Sequence, residues 1–319
     1  MNYYTQLTVR GRNIRIRING GSRMKFIKYL LCCTLLLIGG CSSSPKTESK
    51  KLNILCPSGA PSLALTSIYG DHNVTIVEGT DLLIAELSKK DSEYDLIIAP
   101  INLGGKLIAT NQTDYRLDSI ITWGNLYLVG TNQEALNEQG EIALFGQGAV
   151  PEKIFNAANV DTSLTPNYYN SGNYVQTQLL SGQNKVGLLA EPLATATITK
   201  AKSEGIELQV LMDLQQAYAD AKGTEYGYPQ AAIFAKDSKT VEEVTKKIQE
   251  YCDGGFSGID EYLDTIGVDT LKLPSKEITL KSLDKQNIKY KKAKDVTNEI
   301  TTFLKEFNID FDNSMLLNE

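Results

Sequence analysis

One histidine and five cysteines are all that this 319-residue sequence offers for imidazole or thiolate chemistry, and their spacing gathers none of them into a cluster. His72 stands alone in a polar turn before a strand, where a surface position is expected. A zinc site takes three or four His, Cys or carboxylate ligands, and a Ser-His-Asp site needs its imidazole held by partners. Histidine catalysis, a metal site and a cofactor are therefore not expected. Cys41 is different, because its context would make the thiol react. It closes Leu37-Ile38-Gly39-Gly40-Cys41, behind Lys25 and Lys28 and an apolar run over residues 29–38. That run is shorter than the about 20 apolar residues a membrane-spanning helix needs, and it fits the core of a secretory signal. An aliphatic residue, two small residues and a cysteine form a lipobox: the glycines admit a peptidase to the backbone, and the thiol accepts diacylglycerol. Cys32 and Cys33 lie inside the run. Cys56 and Cys252 could pair outside the cell, but both sit in apolar or helical contexts, so buried free thiols are expected.

The polar segment over residues 41–50 reads as a lipidated tether. Residues 1–23 are basic without a helical period, and a start at Met24 would make them an extension; residues 1–40 are set aside from the fold. They hold seven Lys or Arg and no acid, so the net charge of −6 becomes −13 for the remainder. A surface that acidic excludes nucleic acid and other polyanions, which need a basic footprint. Beyond residue 40 the only arginine is Arg116, expected at the surface, so no bidentate clamp for a dicarboxylate or phosphate ester is available.

Two runs of alternating strands and helices frame the candidates. The first has strands at 52–56, 73–77 and 94–99 and helices at 63–69 and 81–89. The second has strands at 141–145 and 186–190 and helices at 151–158, 174–180 and 193–201. Short apolar strands alternating with helices predict parallel, doubly wound sheets. Extended segments at 120–130 and 228–235 flank the second run, and the chain after them is expected to be helical. The predicted fold is α/β: two doubly wound lobes, residues 51–127 plus 230–319 and residues 128–229, joined by two extended hinge crossings with a ligand cleft between.

Ligands of such sheets bind beyond the carboxyl ends of strands. There Ser58, Gly59 and Ala60 open a helix in the first lobe, and Gly146, Gln147 and Gly148 open one in the second. Asn102 follows the third strand as donor and acceptor. Trp123 and Asn125 lie in the first crossing, Tyr228 opens the return, and Tyr174 begins a helix; their rings would stack a planar ligand. Glu191 either enters the cleft or acts as a helix N-terminal acid. A neutral or singly charged solute is the expectation.

Pro57-Ser58-Gly59-Ala60-Pro61, Trp123-Gly124-Asn125, Gly146-Gln147-Gly148, Leu188-Leu189-Ala190-Glu191-Pro192 and Tyr228-Pro229-Gln230 together resemble substrate-binding lipoproteins of ABC transporters, of the nitrate/taurine/sulfonate type, with thiamine-pyrimidine-precursor binders as relatives. The resemblance covers most of residues 50–310. It implies a type II periplasmic-binding fold, a monomer held on the extracytoplasmic face of the cell membrane by lipid on Cys41, capture of a small solute, and delivery to an ABC permease. It implies no catalytic residue. A ligand-binding surface lipoprotein or sensor without a transporter, or an enzyme of the thiamine-pyrimidine type, are the alternatives.

Overall fold

The computed structural model describes residues 3–9, 12–18 and 50–318, so the signal run, Cys41 and most of the tether lie outside the described residues. Contacts divide the chain at Lys50 and Lys51 into two units. In the first, β1 (Tyr3–Val9) and β2 (Arg12–Ile18) pair antiparallel, with Tyr3 opposite Ile18. Sequence reading assigns no element there, although Ile14, Ile16 and Ile18 alternate with Arg15 and Arg17, the period of a strand.

The second unit holds two sheets. One contains β3 (Asn53–Pro57), β4 (Asn73–Val77), β5 (Leu96–Pro100), β6 (Arg116–Thr122), β12 (Ala231–Ala235) and β13 (Ile288–Lys292). The other contains β7 (Leu126–Gly130), β8 (Glu141–Phe145), β9 (Thr165–Tyr169), β10 (Val186–Ala190) and β11 (Gln209–Asp213). Their orders are β4-β3-β5-β12-β6-β13 and β9-β8-β10-β7-β11. Each sheet thus runs second, first, third, visitor, fourth, where the visitor (β12 or β7) has just crossed from the other lobe. The visitors run antiparallel to both neighbours, while β3, β4 and β5, and β8, β9 and β10, are parallel. The sheets are therefore mixed rather than wholly parallel, because a strand entering straight from a crossing must run against those it joins.

The local causes are legible. β5, β10 and β12 are continuous apolar runs because helices cover both faces. The helices that follow strands are α1 (Ala60–Leu63), α2 (Asp81–Ser88), α3 (Ile101–Ala109), α4 (Val150–Ala157), α5 (Gly172–Leu180) and α6 (Leu193–Ser203). Next, α7 (Leu214–Lys222) starts where Asp213 accepts from the amides of Gln215 and Gln216, and it ends at Gly223 with φ 67°. The longer α8 (Ser238–Asp253) buries Val241, Val244, Thr245, Ile248 and Cys252, one apolar stripe at helical spacing. It is followed by α9 (Ile259–Ile266), α10 (Lys276–Ser282) and α11 (Thr297–Lys305).

In the second unit five elements besides β13 go beyond the sequence reading: β9, β11, α3, α7 and α10, so Asn102, expected in a loop, opens a helix. The helical expectation for the last third is corrected by β13, an edge strand in which buried Ile288 and Tyr290 flank exposed Lys289. Lysines on such an edge discourage pairing with another chain. His72 is also corrected: it is buried, and its Nδ1 accepts from the Leu52 amide at 3.2 Å. Cys56 and Cys252 are buried free thiols, with burial pushing both pKa values up.

Candidate functional site

Equivalent strands place equivalent loops at the carboxyl edges of both sheets. Residues 57–62 follow the first strand of one lobe and 145–149 that of the other. Residues 78–82 and 170–174 follow the second strands, and 100–103 and 190–193 the third. In both sheets the chain turns opposite ways between its first and third strands, the switch point at which open α/β sheets take ligands. Gly59, Gly79 and Gly148 have φ of 87°, 73° and 76°, and a Cβ at any of them would meet nothing within 4 Å. Open space beside the backbone on both lobes is what a cleft floor requires. Ser58 is fixed by its amide, which donates to the Val77 carbonyl at 2.9 Å. The Gln147 side chain is exposed, and Gly146 packs on Pro151.

The crossing residues lie elsewhere. Trp123 is fully buried; its indole N–H donates to the Lys289 carbonyl at 2.8 Å, and its ring meets Tyr226 at 5.0 Å. Tyr228 is also fully buried, stacked on Phe303 at 5.6 Å and edge-on to Tyr218 at 5.7 Å. Neither ring can stack a solute. A hinge lined by two crossings must exclude water, and these aromatics do so. Tyr174, at 55 % exposure, remains free to meet one.

Asn125 and Glu191 are joined in one knot. Asn125 Nδ2 donates to the Glu191 carbonyl at 2.9 Å, the Glu191 amide donates to the Asn125 carbonyl at 2.8 Å, and Gln230 Nε2 donates to Asn125 Oδ1 at 3.1 Å. First crossing, third-strand turn and return crossing are thereby tied. The Glu191 carboxylate accepts from the amide and hydroxyl of Thr195 at 3.0 and 2.8 Å, so the helix N-terminal role is the one its geometry serves. Asn102 lines a groove of about 610 Å³ between α3 and the C-terminal segment, alongside Lys106 and Phe307, and its Oδ1 is buried without a hydrogen-bond partner. Ala60 is buried beneath its loop.

Burial raises the Glu191 pKa above its ordinary value, against the Thr195 bonds and the Lys285 charge. A carboxyl whose folded pKa is raised contributes stability that is full below its unfolded value and lost as pH rises through the folded one. Wild type should therefore lose stability relative to Glu191→Gln as pH climbs from below 4.5 towards neutrality. Urea midpoints of both proteins at four pH values measure this, and a gap independent of pH would contradict it.

Sequence reasoning missed Glu152 and the loop at 78–82. Glu152 is the third residue of α4, the position from which a side chain reaches back to an orphan amide before the helix. Its Oε2 accepts from the Gly148 amide at 2.6 Å, and that bond holds the carboxyl below its ordinary pKa.

Two-lobed α/β architecture of this order is the type II periplasmic-binding fold, and solved structures match it. An ABC transporter protein from Parabacteroides distasonis superposes with TM-score 0.71 at 19% identity, covering 84% of this chain and 99% of that one. The periplasmic aliphatic sulphonate binding protein SsuA of Escherichia coli matches with TM-score 0.56 at 13% identity, over 81% and 86% of the two chains. The ligand binding component of an ABC-type import system from Staphylococcus aureus, solved with zinc bound, gives TM-score 0.50 at 12% identity, over 84% and 97%. No protein-family model and no curated protein matches the chain.

Proposed function

We propose that the chain is the solute-binding component of an ABC importer, capturing a small molecule between its lobes without a catalytic step. The observation that carries this reading is the pairing of open glycine loops at equivalent carboxyl edges of two sheets that only two crossings connect. In this reading residues 51–125 with 230–319 form one lobe and 126–229 the other, two residues earlier than the sequence boundary because β7 begins at Leu126 in the second sheet. The loops around Ser58, Gly59, Gly146, Gln147, Gly148 and Tyr174 touch the solute, while Trp123, Asn125, Glu191 and Tyr228 hold the hinge. The likeness in fold to transport proteins supports the role. The succession of charged flank, apolar run and small residues up to Cys41 supports anchoring by lipid on the extracytoplasmic face of the cell membrane, beside a permease.

Replacing Cys41 by Ser should release the protein from membranes into the soluble fraction; a variant that still pellets with them would sink the anchor. The released variant is then the reagent for a thermal-shift screen of small solutes. A bound solute at a hundredfold excess over its dissociation constant adds about 2.7 kcal/mol. In a protein of this size that raises the Tm by roughly 5–10 °C. A sensor without a transporter would give the same shift, and co-purification with a permease separates the two.

A further inference from the structure

Resting on the receptor reading, we propose that the lobes open by tilting about an aromatic contact on one face of the hinge, while a polar bracket, residues 281–289, parts on the other face and admits the solute. The two crossings are not the whole connection. Neighbouring residues of a strand point to opposite faces of its sheet: Ile97 of β5 packs in the core that holds Trp123, and Ile98 in the other core of the first lobe. In the second lobe Leu188 and Leu189 of β10 divide the same way. Tyr218 of α7 and Phe303 of α11 belong to the core with Ile97 and Leu188. Leu280 of α10 packs with Ile98, and Leu193 of α6 with Leu189. The pairs α7–α11 and α6–α10 thus flank the crossings on opposite faces, each pair taking one helix from each lobe.

Their chemistry decides which yields. On the first face Tyr218, Tyr228 and Phe303 are fully buried, with Tyr228 in ring contact with the other two at 5.7 and 5.6 Å. Such rings bury about 150–250 Å² each, and parting them would expose that area to water. Beside them Lys222 of α7 pairs with Glu306, just past α11, at 2.6 Å. On the other face the contacts are polar. Lys281 Nζ donates to Thr199 Oγ1 at 2.9 Å, and Tyr127 Oη donates to the Lys285 carbonyl at 2.8 Å. Lys281 is exposed and Thr199 half-buried, so water replaces that bond with little net loss. The bracket is rooted at the crossings: Asn287 Nδ2 donates to the carbonyls of Trp123, in the first, and Tyr226, just before the return, at 2.7 and 3.3 Å. A tilt that keeps the rings together therefore parts Lys281 from Thr199 and separates the facing carboxyl edges on that side.

Nitroxides carried on p-acetylphenylalanine, placed in the full chain at two pairs of exposed positions, test this by electron–electron double resonance. Positions 202 on α6 and 242 on α8 report the polar face, and positions 106 on α3 and 156 on α4 report the aromatic face. Lys281→Met should fold as wild type by circular dichroism, lengthen and broaden the 202–242 distribution, and leave the 106–156 distance unchanged. Thr199→Val removes the same bond from the other lobe and should act alike, and adding Tyr127→Phe to Lys281→Met should enlarge the shift. Lys222→Met should move neither pair, because the rings still hold that face. A 106–156 distance that lengthens while 202–242 stays fixed, in any of these variants, places the tilt on the other face; it overturns the proposal and leaves a two-lobed receptor standing. Distances that no variant moves overturn the proposal and also remove the lobe motion on which the receptor reading depends.

Discussion

Trp123→Ala should lower the unfolding free energy by about 3–5 kcal/mol, the range for truncating a fully buried large aromatic. Total stabilities of ordinary domains are about 5–15 kcal/mol, so the loss should be visible as a large fall in denaturant midpoint. Three contributions combine. The ring leaves a void in the core cluster that contains Leu126, Tyr218, Tyr228 and Phe303 from both lobes. The contact with Tyr226 at 5.0 Å disappears. The Lys289 carbonyl on β13 loses the indole donor at 2.8 Å. Trp123→Phe separates these, since it keeps most of the apolar volume and removes the donor; it should cost only about 1–3 kcal/mol. Because Trp123 is the only tryptophan, its emission reports its surroundings directly. Wild-type fluorescence should be blue-shifted and poorly quenched by acrylamide. A red-shifted, readily quenched tryptophan whose removal hardly moves the midpoint would return the ring to the cleft.

The fate of Trp123 shows what the sequence could and could not reveal. Strands 73–77, 141–145 and 186–190 coincide with β4, β8 and β10, because each is a short apolar run bounded by turn residues. The alternation of such runs with helices gives two α/β lobes directly. The mixed sheets follow from pairing across more than 100 residues, as in β12 against β5 and β6, which no local pattern encodes. The same limit governs the site. Glycine loops after first strands are local, and Gly59 and Gly148 stand in them beside open space. Whether an aromatic in a crossing faces solute or core depends on what arrives from elsewhere. For Trp123 that is Lys289, 166 residues away, and for Asn125 it is Glu191 and Gln230, 66 and 105 residues away. Glu152 is the opposite case. Its contact with Gly148 spans four residues and was within reach of a capping pattern.

Gly124→Ala should cost about 2–5 kcal/mol, from two causes that one further substitution can tell apart. Gly124 has φ 88°, where a residue with a Cβ pays about 1–2 kcal/mol. Its Cβ would also stand 2.4 Å from Tyr228 Cε1 and 2.8 Å from Gln215 Cγ. Neither neighbour can step aside cheaply. Tyr228 is held between Phe303 and Tyr218, and Gln215 Oε1 accepts from the Leu126 amide at 2.6 Å at the start of the strand that leaves the crossing. Overpacking of that kind adds about 1–3 kcal/mol. Tyr228→Leu removes the ring and is destabilising in its own right, but in that background Gly124→Ala should cost at least about 1 kcal/mol less than alone, a coupling a double-mutant cycle resolves. The residual cost is then the backbone's. Strict additivity would mean that the ring yields to the methyl and that φ alone demands glycine here. Coupling would instead show the first crossing seated against the return crossing, so that a hinge bending about residues 123–125 must carry Tyr228 with it.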